Sequence, residues 1–332
     1  MFRPTRVLIV AATAVLLTGC AGTQEPSPSP DTSTSASPSV SASPTPTPTP
    51  TIAPTDSLAG IKVTGKRLEA PKVEFTKPLR IDQTRFEVLE QGSGPKAAED
   101  GYITVHYYGV NARTGDVFDE SFKRGEPSTF RLDQVIAGFK KGLAGQQVGS
   151  RVLIAVAGED GYDDAYRMDP QYAPEGYELF DTLLFVADIV DVQRTEASGK
   201  AVTPPAGLPT VSSGTGKPTI TIPDTAAPSS MTAQTLIEGT GRAVAEGDTL
   251  VARYVGVSWK TGEVVDDGFA TPSEEELSKL LPGWIKGLKG KPIGSRVLLV
   301  LPPADGYPEG SNNPKVEKGD TVVYVVDLLF AY

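Results

Sequence analysis

Histidine and cysteine each occur once among the 332 residues of this chain, and this scarcity excludes certain metal sites and cross-links. One cysteine and one histidine cannot assemble a Cys/His zinc site, and a single cysteine cannot form a disulfide within the chain. A Ser-His-Asp triad could use only His106. Basic residues are outnumbered, because 31 Lys and Arg face 41 Asp and Glu and the formal net charge is -10. Since phosphate backbones repel such a chain, the sequence predicts no nucleic-acid partner.

The amino terminus has the features of a processing signal rather than of a folded segment. Arg3 and Arg6 precede an apolar run over 7–17, which is too short to span a bilayer, since spanning takes about 20 residues. The run closes on Leu17-Thr18-Gly19-Cys20 and resembles a bacterial lipobox. We therefore expect a signal peptide over 1–20 and a lipid such as palmitate on Cys20. The protein would then be held on the extracytoplasmic face of the cell membrane. The alternative is an ordinary secretion signal with an incidental cysteine.

Proline, serine, threonine and alanine dominate the next stretch, 21–57. Such a composition cannot bury a core and favours solvated polyproline II. We interpret it as a disordered, semi-rigid linker that holds the folded part away from the membrane.

The remainder of the chain contains one pattern twice. Six segments recur in the same order: Val105–Val110 as Ala252–Val257, Thr114–Asp119 as Thr261–Asp266, Gly138–Leu143 as Gly283–Leu288, Gly149–Leu153 as Gly294–Leu298, Asp160–Tyr162 as Asp305–Tyr307, and Thr182–Phe185 as Thr321–Tyr324. Matching order and spacing indicate a duplicated domain. We place domain 1 at 58–194, a linker at 195–209 and domain 2 at 210–332.

Each copy is predicted to be mostly β. In domain 1, β-branched and aromatic residues favour strands at 102–109, 117–118, 152–156 and 183–192. Apolar residues at helical spacing predict one short helix over 134–143. The expected fold class is α+β, with each antiparallel sheet wrapped on one short helix.

These motifs resemble those of the FKBP-type peptidyl-prolyl cis–trans isomerases, over roughly 97–192 and 244–330. The resemblance implies a pocket of aromatic side chains that surrounds a buried proline. It implies no cofactor and no metal. In domain 1 the matching catalytic positions are Tyr107, Phe118, Asp119, Phe130, Val135, Ile136, Phe139, Tyr162 and Phe185. Phe139 would form the floor, where the family usually has tryptophan. The Ile136 N–H and the Tyr162 hydroxyl would donate hydrogen bonds to the peptide.

Domain 2 matches the same pattern less completely. Its corresponding positions are Tyr254, Val265, Asp266, Leu280, Leu281, Trp284, Tyr307 and Tyr324. Val265 replaces an aromatic residue, and three glutamates at 274–276 stand where domain 1 has Phe130. We expect this second pocket to be degenerate, either binding peptide weakly or serving as a structural partner with little turnover.

The resemblance implies an isomerase (EC 5.2.1.8) that accelerates rotation about X-Pro bonds in exported proteins. Its partners would be proline-containing peptides or unfolded exported proteins, with macrolides as competing ligands. The alternative is a non-catalytic, chaperone-like lipoprotein that binds peptides in the same pockets. A further interpretation, an acid/base pair as in glycosidases, is disfavoured because neighbouring strand residues point to opposite faces. For the doublets Asp119-Glu120 and Asp163-Asp164 we expect solvated acidic loops, and for His106 a structural role.

The region between Tyr162 and Phe185 is six residues longer than that between Tyr307 and Tyr324. In the family this loop borders the active site. We therefore expect it to shape substrate choice or to cover part of the pocket.

Overall fold

The computed structural model describes residues 51–212 and 216–332. In the part of domain 1 that it covers, the strands are β1 (Lys62–Thr64), β2 (Lys72–Glu74), β3 (Arg85–Glu90), β4 (Tyr102–Asn111), β5 (Val117–Glu120), β6 (Ser128–Arg131), β7 (Arg151–Val156) and β8 (Leu183–Val192). The helices are α1 (Ala137–Leu143) and α2 (Asp163–Met168).

The main sheet of domain 1 is antiparallel and has the order β3-β7-β8-β4-β5, with β6 also paired to β4. The ten-residue strand β4 lies inside this sheet, between β8 on one side and β5 and β6 on the other, and alternates between more and less buried positions. Ile103, Val105 and Tyr107 face the same core as α1. This period of two is what a sheet needs to present one face to a helix.

Helix α1 is shorter than the helix predicted over 134–143. A 3-10 turn ends at Gln134, and Val135 and Ile136 have extended backbones. The helix begins only at Ala137. Apolar periodicity alone cannot reveal this break, because the extended residues still face the core. Domain 1 also has a second short helix, α2, which the sequence pattern does not predict.

Two glycines let α1 lie close against the sheet. A Cβ on Gly138 would come within 2.3 Å of Val156, and one on Gly142 within 2.5 Å of Ile154. In domain 2, Gly283 and Gly287 meet Leu301 and Leu299 at 2.3 and 2.4 Å. This close approach places the aromatic residue after the first glycine, Phe139 or Trp284, on the sheet.

Domain 2 repeats this architecture, and its strands are β9 (Lys200–Ala201), β10 (Thr210–Val211), β11 (Ile220–Thr221), β12 (Thr232–Glu238), β13 (Thr249–Ser258), β14 (Val264–Asp267), β15 (Ser273–Glu276), β16 (Arg296–Leu301), β17 (Ser311–Asn312), β18 (Lys315–Val316) and β19 (Val322–Ala331). Its helix is α3 (Pro282–Leu288). The main sheet has the order β14-β13-β19-β16-β12-β9, with β15 paired to β13. Strand β9 lies inside the stretch predicted as a linker, and it pairs with β12.

The second face of each sheet is covered by the chain that precedes it. In domain 1 this upstream cover is the segment 55–81, whose Leu58, Ile61, Val73 and Phe75 pack on the far side of the sheet. In domain 2 the upstream cover is formed by 208–212 and 216–222, in which Leu208, Val211, Ile220 and Ile222 pack on the corresponding face. Both faces of each sheet are therefore buried.

A buried ion pair fastens each upstream cover. Arg151 and Asp188, on β7 and β8, are 2 % and 0 % exposed and approach to 2.6 Å. Arg151 also donates to the Gly65 carbonyl at 2.8 Å, while the Leu68 N–H donates to Asp188 at 2.6 Å. In domain 2, Arg296 and Asp327 form the same pair at 2.6 Å, and Arg296 donates to the Gly216 carbonyl.

The two domains meet through an aromatic contact at the start of β4. The Tyr102 ring stacks on Phe330 and Tyr332, with ring centroids 5.6 and 4.8 Å apart. The Tyr102 hydroxyl donates to Glu274 on β15 at 2.9 Å, and the Tyr332 hydroxyl donates to the same carboxylate. The contact thus involves a strand at the rim of the domain 2 pocket.

Replacing Arg151 with Met should destabilise domain 1 strongly, because Asp188 would remain buried without its counter-ion. Removing one partner of a buried pair costs about 3–5 kcal/mol. The matched control is Lys72→Gln, which removes an exposed ion pair with Glu74 and should cost less than about 1 kcal/mol. Urea unfolding followed by far-UV circular dichroism measures both. Equal effects of the two substitutions would contradict the structural role given to Arg151.

Candidate functional site

An aromatic ring lines one side of domain 1, as the sequence predicts. Phe139 of α1 forms its floor, with ring centroids 4.9 Å from Phe185, 5.6 Å from Phe130 and 6.2 Å from Tyr107. Phe118 meets Phe185 edge-on at 5.5 Å. These residues come from β4, β5, β6, β8 and α1, so the fold brings together side chains that are far apart in sequence.

The other predicted apolar positions pack around the same ring. Val135, Ile136 and Tyr162 are partly buried and contact the cluster that contains Phe139. Ile136 immediately precedes α1, where the first N–H groups have no partner within the helix. That position suits the donor role that the family resemblance gives to the Ile136 N–H, and the role itself stays a prediction.

Asp119 lies beside this ring and is held by two neighbours. The Tyr107 hydroxyl donates to one carboxylate oxygen, and Arg124 donates to the other at 2.8 Å. Arg124 also donates to the Tyr107 hydroxyl at 3.0 Å and lies over the Tyr107 ring, 5.5 Å from its centroid. Burial, together with the hydrogen bond to Asp119, raises the pKa of Tyr107 to about 12. The carboxylate is therefore neutralised by a neighbouring cation.

Arg124 is the site residue that sequence reasoning missed. It lies in the turn between β5 and β6, where the two copies differ in length. Pro127 follows Asp119 by eight positions, whereas Pro272 follows Asp266 by six. That length difference is the signal that could have pointed to an additional polar group in domain 1.

The long loop of domain 1 (163–182) is anchored by buried acids, which corrects one expectation. Asp163 is only 2 % exposed and accepts hydrogen bonds from the Tyr177 hydroxyl and the Phe180 N–H, each at 2.8 Å. The predicted solvated loop is therefore wrong for Asp163. Adjacent Asp164 is exposed, as expected. A carboxylate can be buried here because the loop folds back and supplies donors.

The same loop contacts the pocket through its tyrosines. Tyr177 meets the Tyr162 ring edge-on at 6.0 Å, and Arg113 binds Asp181 at 2.8 Å at the far end of the loop. Met168 and Tyr172 stay exposed on the outside. The loop therefore supports the wall that contains Tyr162. Its influence on substrate choice stays a prediction.

His106 has the structural role expected from its position. Its ring stacks on Phe122 with centroids 4.9 Å apart, and Nδ1 lies 3.1 Å from the Ser121 hydroxyl. It points away from the core that contains Tyr107.

The domain 2 pocket is formed by the corresponding residues but has a more polar lining. Tyr254, Trp284 and Tyr324 meet at steep angles, with ring centroids 5.1–6.1 Å apart. The Tyr324 hydroxyl donates to Asp266 at 3.1 Å and lies 3.0 Å from the Tyr307 hydroxyl. Domain 1 has Phe185 at the position of Tyr324, so this hydroxyl network is specific to domain 2. Val265, Leu280 and Leu281 pack against the same cluster.

Asp266 differs from Asp119 in having no basic neighbour among the described residues. Its hydrogen-bond partners are tyrosines and backbone, and burial raises its pKa above the ordinary value for aspartate. The indole Nε1 of Trp284 is also buried without a hydrogen-bond partner in the described chain. Among the described residues, Asp266 thus has no cationic partner and the Trp284 indole N–H has no acceptor.

The strand register identifies what replaces Phe130. Phe130 pairs with Ile103 in domain 1, and Glu275 pairs with the corresponding Leu250 in domain 2. Directly paired residues lie on the same face of a sheet. Glu275 therefore occupies the rim position of Phe130. Within the described residues, no group of three or more His, Cys, Asp or Glu side chains is placed to hold a metal ion.

Comparison with known proteins agrees with the presence of two copies of one domain. A family model described as FKBP-type peptidyl-prolyl cis-trans isomerase matches residues 94–189 and 240–329. The FK506-binding protein of Streptomyces anulatus is 34% identical over 127 residues, which cover 38% of this chain and 98% of that protein. The probable FK506-binding protein of Corynebacterium glutamicum is 36% identical over 126 residues, which cover 37% and 98% of the two chains. The crystal structure of FkpA from Escherichia coli has a TM-score of 0.29 at 31% identity, and covers 33% of this chain and 47% of its own.

Two tandem domains of the same family thus lie within the described residues. The protein belongs to the FKBP-type peptidyl-prolyl cis–trans isomerase family.

Replacing Asp266 with Asn should stabilise domain 2 at neutral pH. Because the pKa of Asp266 is raised in the folded state, its ionisation on going from acid to neutral pH destabilises the fold. The stability of the parent should fall as pH rises through that pKa, and the variant should lack this loss. Both tryptophans, Trp259 and Trp284, belong to domain 2, so denaturant unfolding followed by tryptophan fluorescence reports on it.

Asp267→Asn is the matched control for this experiment. Lys217 lowers the pKa of Asp267 through a hydrogen bond, so its ionised form is favoured in the folded state. Its replacement should not stabilise domain 2 at neutral pH. The interpretation of Asp266 fails if both substitutions have the same sign.

Proposed function

We propose that domain 1 is the main site of prolyl isomerisation in this chain, and that its substrates are proline-containing segments of exported proteins. The observation that supports this most directly is the apolar ring formed by Tyr107, Phe118, Phe130, Phe139 and Phe185, with one neutralised carboxylate beside it. Such a ring can surround a prolyl side chain from several directions.

The reaction itself needs no broken covalent bond. The planar amide is stabilised by resonance, and its rotation barrier is about 18–20 kcal/mol. Twisting the X-Pro bond decouples the nitrogen lone pair and reduces charge separation in the amide. A pocket with few polar groups therefore favours the twisted amide over the planar one, which is differential binding of a transition state.

Asp119 and Arg124 suit this mechanism because they hold each other in place. Their ion pair leaves a compact polar patch beside an apolar floor, with the Tyr107 hydroxyl fixed between them. A polar group that is oriented in advance need not reorganise as the amide twists. In domain 2 the corresponding space holds the Tyr324 hydroxyl network and Asp266, which has no basic partner among the described residues, and this lining is less suited to an apolar prolyl ring.

Replacing Phe118 with Val, the residue found at the matching position 265 of domain 2, should lower kcat/KM by about 10-fold or more. Loss of apolar contact in a fitted pocket is worth about 1–3 kcal/mol. A proline-peptide isomerisation assay on the full chain, with and without a competing macrolide, measures the effect. The matched variant is Trp284→Ala in domain 2, for which we expect less than about a 2-fold change.

Two outcomes would contradict this assignment. A larger loss from Trp284→Ala than from Phe118→Val would make domain 2 the main isomerase. No acceleration by the parent chain would instead favour the chaperone-like peptide binder.

We also propose that the protein is a lipoprotein on the extracytoplasmic face of the cell membrane. The signal peptide, Cys20 and most of the linker lie outside the described residues, so the proposal is supported by the sequence pattern around Cys20. None of the helices in the described part is long and apolar enough to cross a membrane.

Replacing Cys20 with Ser should abolish lipid attachment and release the protein from the membrane fraction. Labelling with a radioactive fatty acid and fractionation of cells measure the two effects. The control is Ser57→Ala, which lies beyond the predicted signal and should leave both unchanged. Persistent labelling of the Cys20 variant would exclude this residue as the lipid site.

A further inference from the structure

The two pockets differ in the charges that surround them. In domain 1, Arg124 neutralises Asp119 at 2.8 Å, and Phe130 supplies an apolar rim. In domain 2, Asp266 and the rim residue Glu275 have no basic partner among the described residues. The next residues along the chain do have one, since Asp267 pairs with Lys217 and Glu276 with Lys279. Asp266 and Glu275 therefore lack the counter-ion that Asp267 and Glu276 have.

The walls of the second pocket are also suited to a positive charge. Tyr254, Trp284 and Tyr324 present three aromatic rings at interplanar angles of 70–86°. The face of an aromatic ring attracts cations, and tryptophan and tyrosine do so well. Acidic groups next to such rings favour an ammonium or guanidinium group over a neutral prolyl ring.

Trp284 adds an independent indication of the ligand. Its side chain is 6 % exposed and its Nε1 has no hydrogen-bond partner in the described chain. A buried donor without an acceptor is unfavourable, so a bound ligand that offers an acceptor gains from it. A peptide carbonyl is such an acceptor, whereas a free amine is not.

We propose that the domain 2 pocket binds a basic side chain, lysine or arginine, of a client polypeptide, with Asp266 as its counter-ion. Glu275 attracts the same charge from the rim, and Trp284 donates to a backbone carbonyl of the bound segment. This site goes beyond the proposed catalysis in domain 1 and does not depend on it. Domain 2 then contributes recognition of positively charged segments rather than turnover.

The two tryptophans allow a direct test in the full chain. Trp259 donates its Nε1–H to the Thr225 carbonyl at 3.1 Å and lies on the covered face of the sheet, away from the pocket. Trp284 lies at the pocket floor. In ¹⁵N-labelled protein the two indole N–H signals therefore report on the pocket and on an internal reference.

The probes are three short blocked peptides, Gly-Ala-Lys-Ala-Gly and its Gln and Glu counterparts. Titration with the lysine peptide should shift the Trp284 signal, leave the Trp259 signal in place, and weaken as salt is added. The glutamine and glutamate peptides should have little effect. An equal response to the glutamine peptide, or no response to the lysine peptide, would overturn the proposal.

Single substitutions identify which carboxylate binds the lysine side chain of the peptide. Asp266→Asn should weaken binding of the lysine peptide about 10-fold or more, and Glu275→Gln by a smaller factor. The matched controls are Asp267→Asn and Glu276→Gln, which remove the same charge from neighbouring, paired residues. Equal losses from the controls would show a general electrostatic effect and exclude a site. An unchanged Trp259 signal shows that each variant is folded.

Failure of this test is distinguishable from failure of the proposed isomerase. The isomerisation assay with Phe118→Val depends on domain 1, which contains no tryptophan. If the Trp284 signal does not respond to the lysine peptide while isomerisation is normal, only the proposed basic-peptide site is contradicted.

Discussion

Each domain depends on a sheet that buries both of its faces. One face packs on a short helix and forms the pocket, and the other packs on the chain upstream of it. The Arg151–Asp188 pair connects these layers, because it joins two central strands and also binds the backbone of the upstream cover. A buried pair is weak evidence for stability by itself. Its contribution here is to fix the position of the upstream cover on the sheet.

The two pockets show how one scaffold can be given different binding preferences. Close packing of glycines against the sheet fixes the floor residue in both domains, and the strand register fixes the rim. The differences are a few polar atoms: the Arg124 guanidinium in domain 1, and the Tyr324 hydroxyl and Glu275 carboxylate in domain 2. In a partly dehydrated site such groups decide which ligands can be accommodated, since unpaired charge is costly there. Fold alone therefore says little about what each pocket accepts.

Much of the fold and of the first pocket could be predicted, because the informative residues form a repeated order of short motifs. Strand β8 begins and ends where its apolar run does, and all nine predicted pocket positions of domain 1 lie in or beside one cluster. What could not be predicted depends on contacts distant in sequence. Asp163 is buried because a loop returns with Tyr177, and the extended backbone of Ile136 shortens α1. The local sequence pattern predicts neither the burial of Asp163 nor the extended backbone of Ile136.

The upstream covers also have a consequence for the size of the repeated unit. The family match begins at residue 94 in the first copy and at residue 240 in the second, yet in both copies an arginine donates to a carbonyl well before that point, at Gly65 and Gly216. The structural repeat in this chain therefore extends upstream of the matched domain, and a version of either domain cut at the family boundary would lose the cover on one face of its sheet.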